Sequence, residues 1–224
     1  MTFSLLGRCA DTGAFGMVVS SSSTAVAARC AFARAGVGAV ASQNITDPRL
    51  GPAGLDLLAS GATAQAALDR LVAEAPDVAY RQLALIDRNG GTAAYSGAKT
   101  LGIHATARGR DCVAAGNLLA NDGVPAAMVA AFEGAAGQAL GDRLVAALRS
   151  GLDAGGEAGS VHSAGLLLVK DAAWPVADLR VDWSADPIGE LAALWARWAP
   201  EMDAYITRAL DPSTAPAYGV PGDP

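Results

Sequence analysis

The sequence predicts a layered α+β fold. Strand-like runs come in hairpin-joined pairs and helix-like runs also come in pairs. No GxGxxG precedes a helix and no GxxxxGK[ST] occurs, so a nucleotide-binding fold has no support. The order is strands, two helices, strands, two helices, strands, helix, unlike the steady βαβ alternation of a doubly wound sheet.

Thr2 to Arg8 is a β-prone run, Asp11-Thr12-Gly13 a turn signal, and Phe15 to Ser20 a second strand, together a hairpin. Ala25 to Phe32 fits either helix or strand. Ala35 to Gln43 is Gly/Val-rich and predicts a buried strand with glycine where another layer packs closely. Pro48 to Gly54 predicts a loop into a helix whose apolar face is Leu55, Leu57 and Leu58. Thr63 is an N-cap for a second helix, with Ala67, Leu68 and Leu71 at helical spacing.

The period then changes. Arg81 to Asp87 and Thr92 to Ser96 predict a hairpin about Arg88-Asn89-Gly90-Gly91, and Arg110 to Asn117 a further strand. Pro125 to Phe132 and Leu140 to Arg149 predict two helices, and Ser163 to Val169 and Val176 to Val181 two neighbouring strands. Pro187 opens a last helix with a Leu191, Leu194, Trp195, Trp198 stripe, which reads as core or subunit contact. Residues 1–200 form the expected single domain. Residues 201–224 form a C-terminal extension, Pro/Gly-rich after 211.

At 224 residues this is one ordinary domain. Alanine supplies 52 residues and glycine 26, a composition suited to close layer packing. The net charge of −6, with scattered Lys and Arg, offers no phosphate-binding stripe, so nucleic acid is not an expected partner. Cys9, Cys30 and Cys112 make no CxxC pair or disulfide framework, and His104 and His162 belong to no metal motif, so no metal and no cofactor is expected. No basic leader is visible and no apolar run approaches the ~20 residues that span a bilayer, so a cytoplasmic protein without a membrane partner is expected.

Thr2 follows the initiator Met1. A small second residue permits removal of Met1, and a terminal Thr carries a hydroxyl nucleophile and an amine that ordinarily titrates near ~7.7–8.0. Such a residue needs no histidine as base.

The surroundings of Thr2 resemble a known family. The residues are Met1-Thr2-Phe3-Ser4, Thr12-Gly13 leading into Gly16 to Ser21, Ala33 to Gln43, Gly51 to Leu58, Gly116 to Ala120, Ser163 to Val169 and Arg180-Val181-Asp182. They are similar to domain-of-unknown-function family 1028, placed in the N-terminal nucleophile (Ntn) hydrolase superfamily. The resemblance spans most of Thr2 to Pro200 and implies a four-layer αββα sandwich of Ntn-hydrolase type.

It also implies Thr2 as nucleophile, with Arg34 at the position of a basic residue that lowers the nucleophile's pKa and stabilises anions. Arg34 reads equally as a surface charge. Ser21 lies where similar enzymes keep an acidic or polar group that orients the amine; here a serine run takes that place, and Ser22 stands where family members often carry Arg. Asn117 is a candidate oxyanion donor, or an αL turn residue. Gln43, Asn44 and His162 are candidate substrate-binding residues. The implied activity is hydrolysis of a C–N bond in a small amide, lactam or ureide. The alternative is a non-catalytic Ntn-fold protein that binds small molecules or forms oligomers. The expected partners are a small-molecule substrate and a second copy, as a homo-dimer.

Overall fold

The computed structural model describes residues 1–222; Asp223 and Pro224, at the tip of the expected extension, lie outside the described residues. The chain opens with β1 (Thr2–Arg8) and β2 (Phe15–Ser21), a hairpin with Leu5 opposite Val18. A one-turn helix α1 (Ala27–Cys30) leads into β3 (Ala31–Arg34), which pairs with β4 (Gly38–Asn44). Helices α2 (Leu50–Ala59) and α3 (Ala64–Glu74) precede β5 (Arg81–Asp87), β6 (Thr92–Ser96), β7 (Ala105–Gly109) and β8 (Cys112–Asn117). Next come α4 (Val124–Gly134), α5 (Leu140–Asp153), β9 (Ser163–Val169), β10 (Ala177–Val181), α6 (Pro187–Trp198) and α7 (Met202–Leu210).

The strands form two antiparallel sheets, one ordered β10-β9-β2-β1-β8-β7 and the other β3-β4-β5-β6. Three apolar clusters hold the α+β fold together. Phe3, Leu5, Val18 and Ala114 pack with Met128, Phe132, Leu144 and Leu148 of α4 and α5. Leu6, Met17, Val19 and Val113 of the first sheet meet Ala39, Ala41, Ala84 and Ile86 of the second. Val40, Leu83 and Leu85 pack against Leu55, Leu58, Leu68 and Leu71 of α2 and α3. Alternate residues of β1, β4 and β5 thus enter different clusters, as period-2 side-chain direction requires. Each large side chain so buried contributes roughly 1.5–3 kcal/mol.

Several boundaries differ from expectation. The ambiguous segment splits into α1 and β3, and the turn Arg34–Val37 delays β4 to Gly38, with Val37 N–H bonded to the Arg34 carbonyl at 3.1 Å. Gly38 has φ +150°, and a Cβ there would collide with the Ile86 carbonyl. Helix α2 begins at Leu50, inside the expected loop. Pro52 sits in its first turn, where a missing N–H is harmless, and a Cβ on Gly51 would collide with the Phe32 ring. Strand β7 was not expected; its Ala-Thr-Ala-Arg-Gly sequence has no apolar run. The extension contains α7, whose Met202 and Ile206 pack on the first cluster. Trp195 is buried and donates to Asp142 Oδ1 at 2.7 Å, and Trp198 donates to the Val176 carbonyl at 3.0 Å, so both serve contacts within the chain. Among the described residues no helix is long and apolar enough to cross a membrane.

Candidate functional site

The inter-sheet surface is apolar along most of its length and polar at one end. Along β1, the position of Leu6 is followed two residues back by Ser4 and then Thr2; along β8, Ala115 gives way to Asn117. Along β4, Ala41 gives way to Gln43, and along β5, Ala84 to Gln82. Two-residue spacing places these polar side chains on the inner faces. Ser4, Gln43, Gln82 and Asn117 are all fully buried.

They form one network. Ser4 Oγ donates to Gln43 Oε1 at 2.8 Å, and Gln43 Nε2 donates to Gln82 Oε1 at 2.8 Å. Asn117 Nδ2 donates to the same Gln82 Oε1 at 3.0 Å. Gln82 Nε2 donates to Ser96 Oγ at 3.0 Å and to the Gly116 carbonyl at 2.9 Å. Asn117 Oδ1 is buried without a hydrogen-bond partner among the described residues. An unsatisfied buried acceptor costs about 1–3 kcal/mol, which a functional site can tolerate.

Thr2 lies directly opposite Asn117 in the β1–β8 ladder and is buried. Its hydroxyl donates to the Met1 carbonyl. The same carbonyl accepts from Ser21 Oγ at 2.6 Å. Ser21 Oγ lies 2.7 Å from Ser23 Oγ, which accepts from Arg29 Nη2 at 2.6 Å. A cation is thereby linked through two hydroxyls to the carbonyl preceding Thr2, and each bond polarises the next.

An acid completes the group. The Glu157 carboxylate accepts from the Ser22 N–H at 3.0 and 3.2 Å and is 4% exposed. Burial pushes its carboxyl above the ordinary carboxylate range, partly offset by the bonds from Ser22 and by the nearby N-terminal ammonium and His162.

A family model described as "Family of unknown function (DUF1028)" matches residues 2–191. The chain belongs to the DUF1028 family. It is similar to the DUF1028 protein SPO2555 of Silicibacter pomeroyi, seen in a crystal structure, with 30% identity and a TM-score of 0.81 over 88% of this chain and 85% of that one. It is also similar to Anbu, an ancestral beta-subunit, from Yersinia bercovieri, with 8% identity and a TM-score of 0.42 over 90% of this chain and 96% of that one. No curated protein matches it.

In this DUF1028 chain, Thr2, Ser21, Gln43 and Asn117 gather at one end of the sheets. Arg34 does not join them. It pairs with Gly38 at the opposite end of β4 from Gln43, and its guanidinium meets Asp56 of α2 at 2.9 Å on the exposed surface. Asn44 adopts φ +73° and ties loops together: Nδ2 donates to the Tyr80 carbonyl at 2.6 Å and Oδ1 accepts from the Leu101 N–H at 3.2 Å. His162 touches the cluster through its backbone, whose N–H donates to the Ser21 carbonyl at 2.8 Å. Its ring stacks on Trp183 with centroids 4.5 Å apart, and Nδ1 bonds the Ser184 carbonyl at 3.1 Å.

Ser4, Ser23, Arg29, Gln82 and Glu157 were not anticipated. The inner-face alternation carried a signal for Ser4 and Gln82. Glu157 and Arg29 arrive by topology. Burial pushes the Cys30 thiol up and the Cys112 thiol up to about 12, so neither is an activated nucleophile. Among the described residues, no group of three or more His, Cys, Asp or Glu could hold a metal ion. A cavity of about 670 Å³ lies at the far end of β1, beside Arg8, Glu133 and Trp195, and none of the Thr2 group lines it.

Proposed function

We propose that this DUF1028 protein is an N-terminal-nucleophile amidohydrolase, built as a four-layer αββα sandwich, that cleaves a C–N bond in a small amide, lactam or ureide. One observation carries the reading: the Thr2 hydroxyl and Ser21 Oγ both donate to one carbonyl, that of Met1, at the polar end of the inter-sheet surface. With Met1 attached, the Thr2 nitrogen is an amide and has no basic lone pair. Removal of Met1 frees an amine next to the hydroxyl and vacates the place its carbonyl occupied.

A substrate carbonyl then enters beside the freed amine, with its oxygen directed toward the Ser21 donor that the Met1 oxygen had engaged. Thr2 Oγ attacks the carbonyl carbon, and the Thr2 amine accepts the hydroxyl proton. Ser21 Oγ, backed by Ser23 and Arg29, donates to the developing oxyanion. Collapse breaks the C–N bond, the amine proton passes to the leaving nitrogen, and an ester on Thr2 remains. Water, deprotonated by the same amine, hydrolyses the ester and restores Thr2. Asn117 has a different role from the one its type implied. Its Nδ2 is held by Gln82, so its unpaired Oδ1 acts as an acceptor, for the protonated amine or a substrate N–H.

The second reading, a non-catalytic binder, is favoured by the hold on Met1, whose carbonyl fills the donor pair. Turnover of an amide, lactam and ureide panel separates the two. The hydrolase reading expects activity in the Met1-free protein and none in Thr2→Ala. The binder reading expects ligand stabilisation of both proteins without turnover.

A further inference from the structure

Strand β10 ends the six-stranded sheet, and among the described residues it pairs with β9 alone. Its outer main-chain groups are therefore an open template for another strand. The two exposed tryptophans flank it, Trp174 before the strand and Trp183 after it, 39% and 61% exposed. Alongside runs an open groove of about 770 Å³ between the end of β10 and the outer face of α6, where Leu194 is also exposed.

We infer that this edge binds a second copy of the chain through antiparallel β10–β10 pairing about a two-fold axis at Leu179. Charge argues for a second copy as the occupant and, among axes at Asp178, Leu179 and Arg180, for the register. In a sheet continued across a two-fold axis, opposite residues share a face, so the axis falls on a residue. On Asp178 it would set two carboxylates face to face, and on Arg180 two guanidiniums. On Leu179 it sets Asp178 opposite the second copy's Arg180, and Arg180 opposite the second copy's Asp178. These two side chains already pair within the chain at 2.8 Å on the exposed face of β10, so the exchange is between equivalent partners.

The same register lays the Trp174–Pro175 segment of each copy beside the other's Trp183, covering both exposed indoles. Helix α6 repeats the symmetry independently. Glu190 and Arg197 lie at equal distances in sequence from the Ala193–Leu194 midpoint, all four residues line the groove, and Arg197 has no ion pair among the described residues. An antiparallel α6–α6 contact therefore pairs each Glu190 with the other copy's Arg197 around an apolar centre. Self-complementarity in two elements is what an isologous interface requires. The inference does not depend on the proposed hydrolase activity.

Sedimentation equilibrium of the full chain, over nanomolar to tens of micromolar concentrations, tests it. The wild-type chain is expected to be a dimer. R180D sets carboxylate against carboxylate and should weaken the dimer at least about tenfold. The exchange variant D178R/R180D keeps the intrachain pair and should restore wild-type affinity within about threefold, with unchanged circular dichroism in both. A monomeric wild type, a dimer indifferent to R180D, or an exchange variant as weak as R180D would each overturn the inference.

Discussion

Thr2 and Asn117 face each other across the β1–β8 ladder, one with a hydroxyl bonded to the Met1 carbonyl, the other with a buried, unpartnered Oδ1. Directly opposed residues in an antiparallel pair project to the same side at short range. A hydroxyl-bearing residue thus sits beside a free acceptor at the polar end of an otherwise apolar inter-sheet surface.

Thr2→Ala should abolish hydrolysis while leaving the fold intact, because the hydroxyl bonds only the Met1 carbonyl. Thr2→Ser keeps the nucleophile and should retain measurable turnover. Rates with both variants, alongside thermal denaturation, check this. Equal loss of activity in both would point to a packing role for Thr2.

Arg29 and Arg34 should separate cleanly. Arg29→Ala removes the cation behind Ser23 and Ser21, and kcat/KM should fall at least about tenfold. Arg34→Ala breaks an exposed pair with Asp56, worth at most about 1 kcal/mol, and should leave kcat/KM unchanged. The reverse pattern would return the catalytic cation to Arg34.

Gln82 is the hub of the buried network. Gln82→Leu strands Gln43 Nε2, Asn117 Nδ2 and the Gly116 carbonyl, and should cost at least about 2 kcal/mol in urea unfolding. A loss below about 0.5 kcal/mol would mean that the network adds nothing to stability.

Glu157 gives a pH signature. Its carboxyl titrates higher in the folded than in the unfolded chain, chiefly through burial. A raised acid favours the folded state while protonated. The stabilisation is full below the ordinary glutamate range and is lost as pH rises through the raised folded value. In that window Glu157→Gln should show a flatter stability profile than the wild type, measured by urea midpoints at successive pH values. Parallel profiles would remove Glu157 as the source.

Much of this fold was legible because local pattern and tertiary position agree. The β1–β2 hairpin, the Arg81–Asp87 strand and the Thr63 cap follow from alternation and turn chemistry, and Thr63 Oγ1 does accept from the Ala66 N–H at 3.2 Å. Strand β7 was invisible because it lies at a sheet edge with alternately exposed small residues and needs no apolar run. In the site, Thr2 is nameable from its place after Met1, while Ser21, Gln43 and Asn117 become candidates with the family resemblance. Glu157 is not, since it lies 135 residues from Ser22 and is brought there by the β9–β2 pairing together with its own bridge to Leu119 after β8. Arg34 is a candidate only through the resemblance, and the turn at Gly36 leaves it at the far end of β4.

The proposed chemistry requires Thr2 to act from the chain terminus. Intact-mass spectrometry of untagged protein tests it most directly. A single species lighter than the encoded chain by one methionyl residue is expected, with Thr2 first in N-terminal sequencing. Quantitative retention of Met1 in protein that hydrolyses a C–N substrate would contradict it.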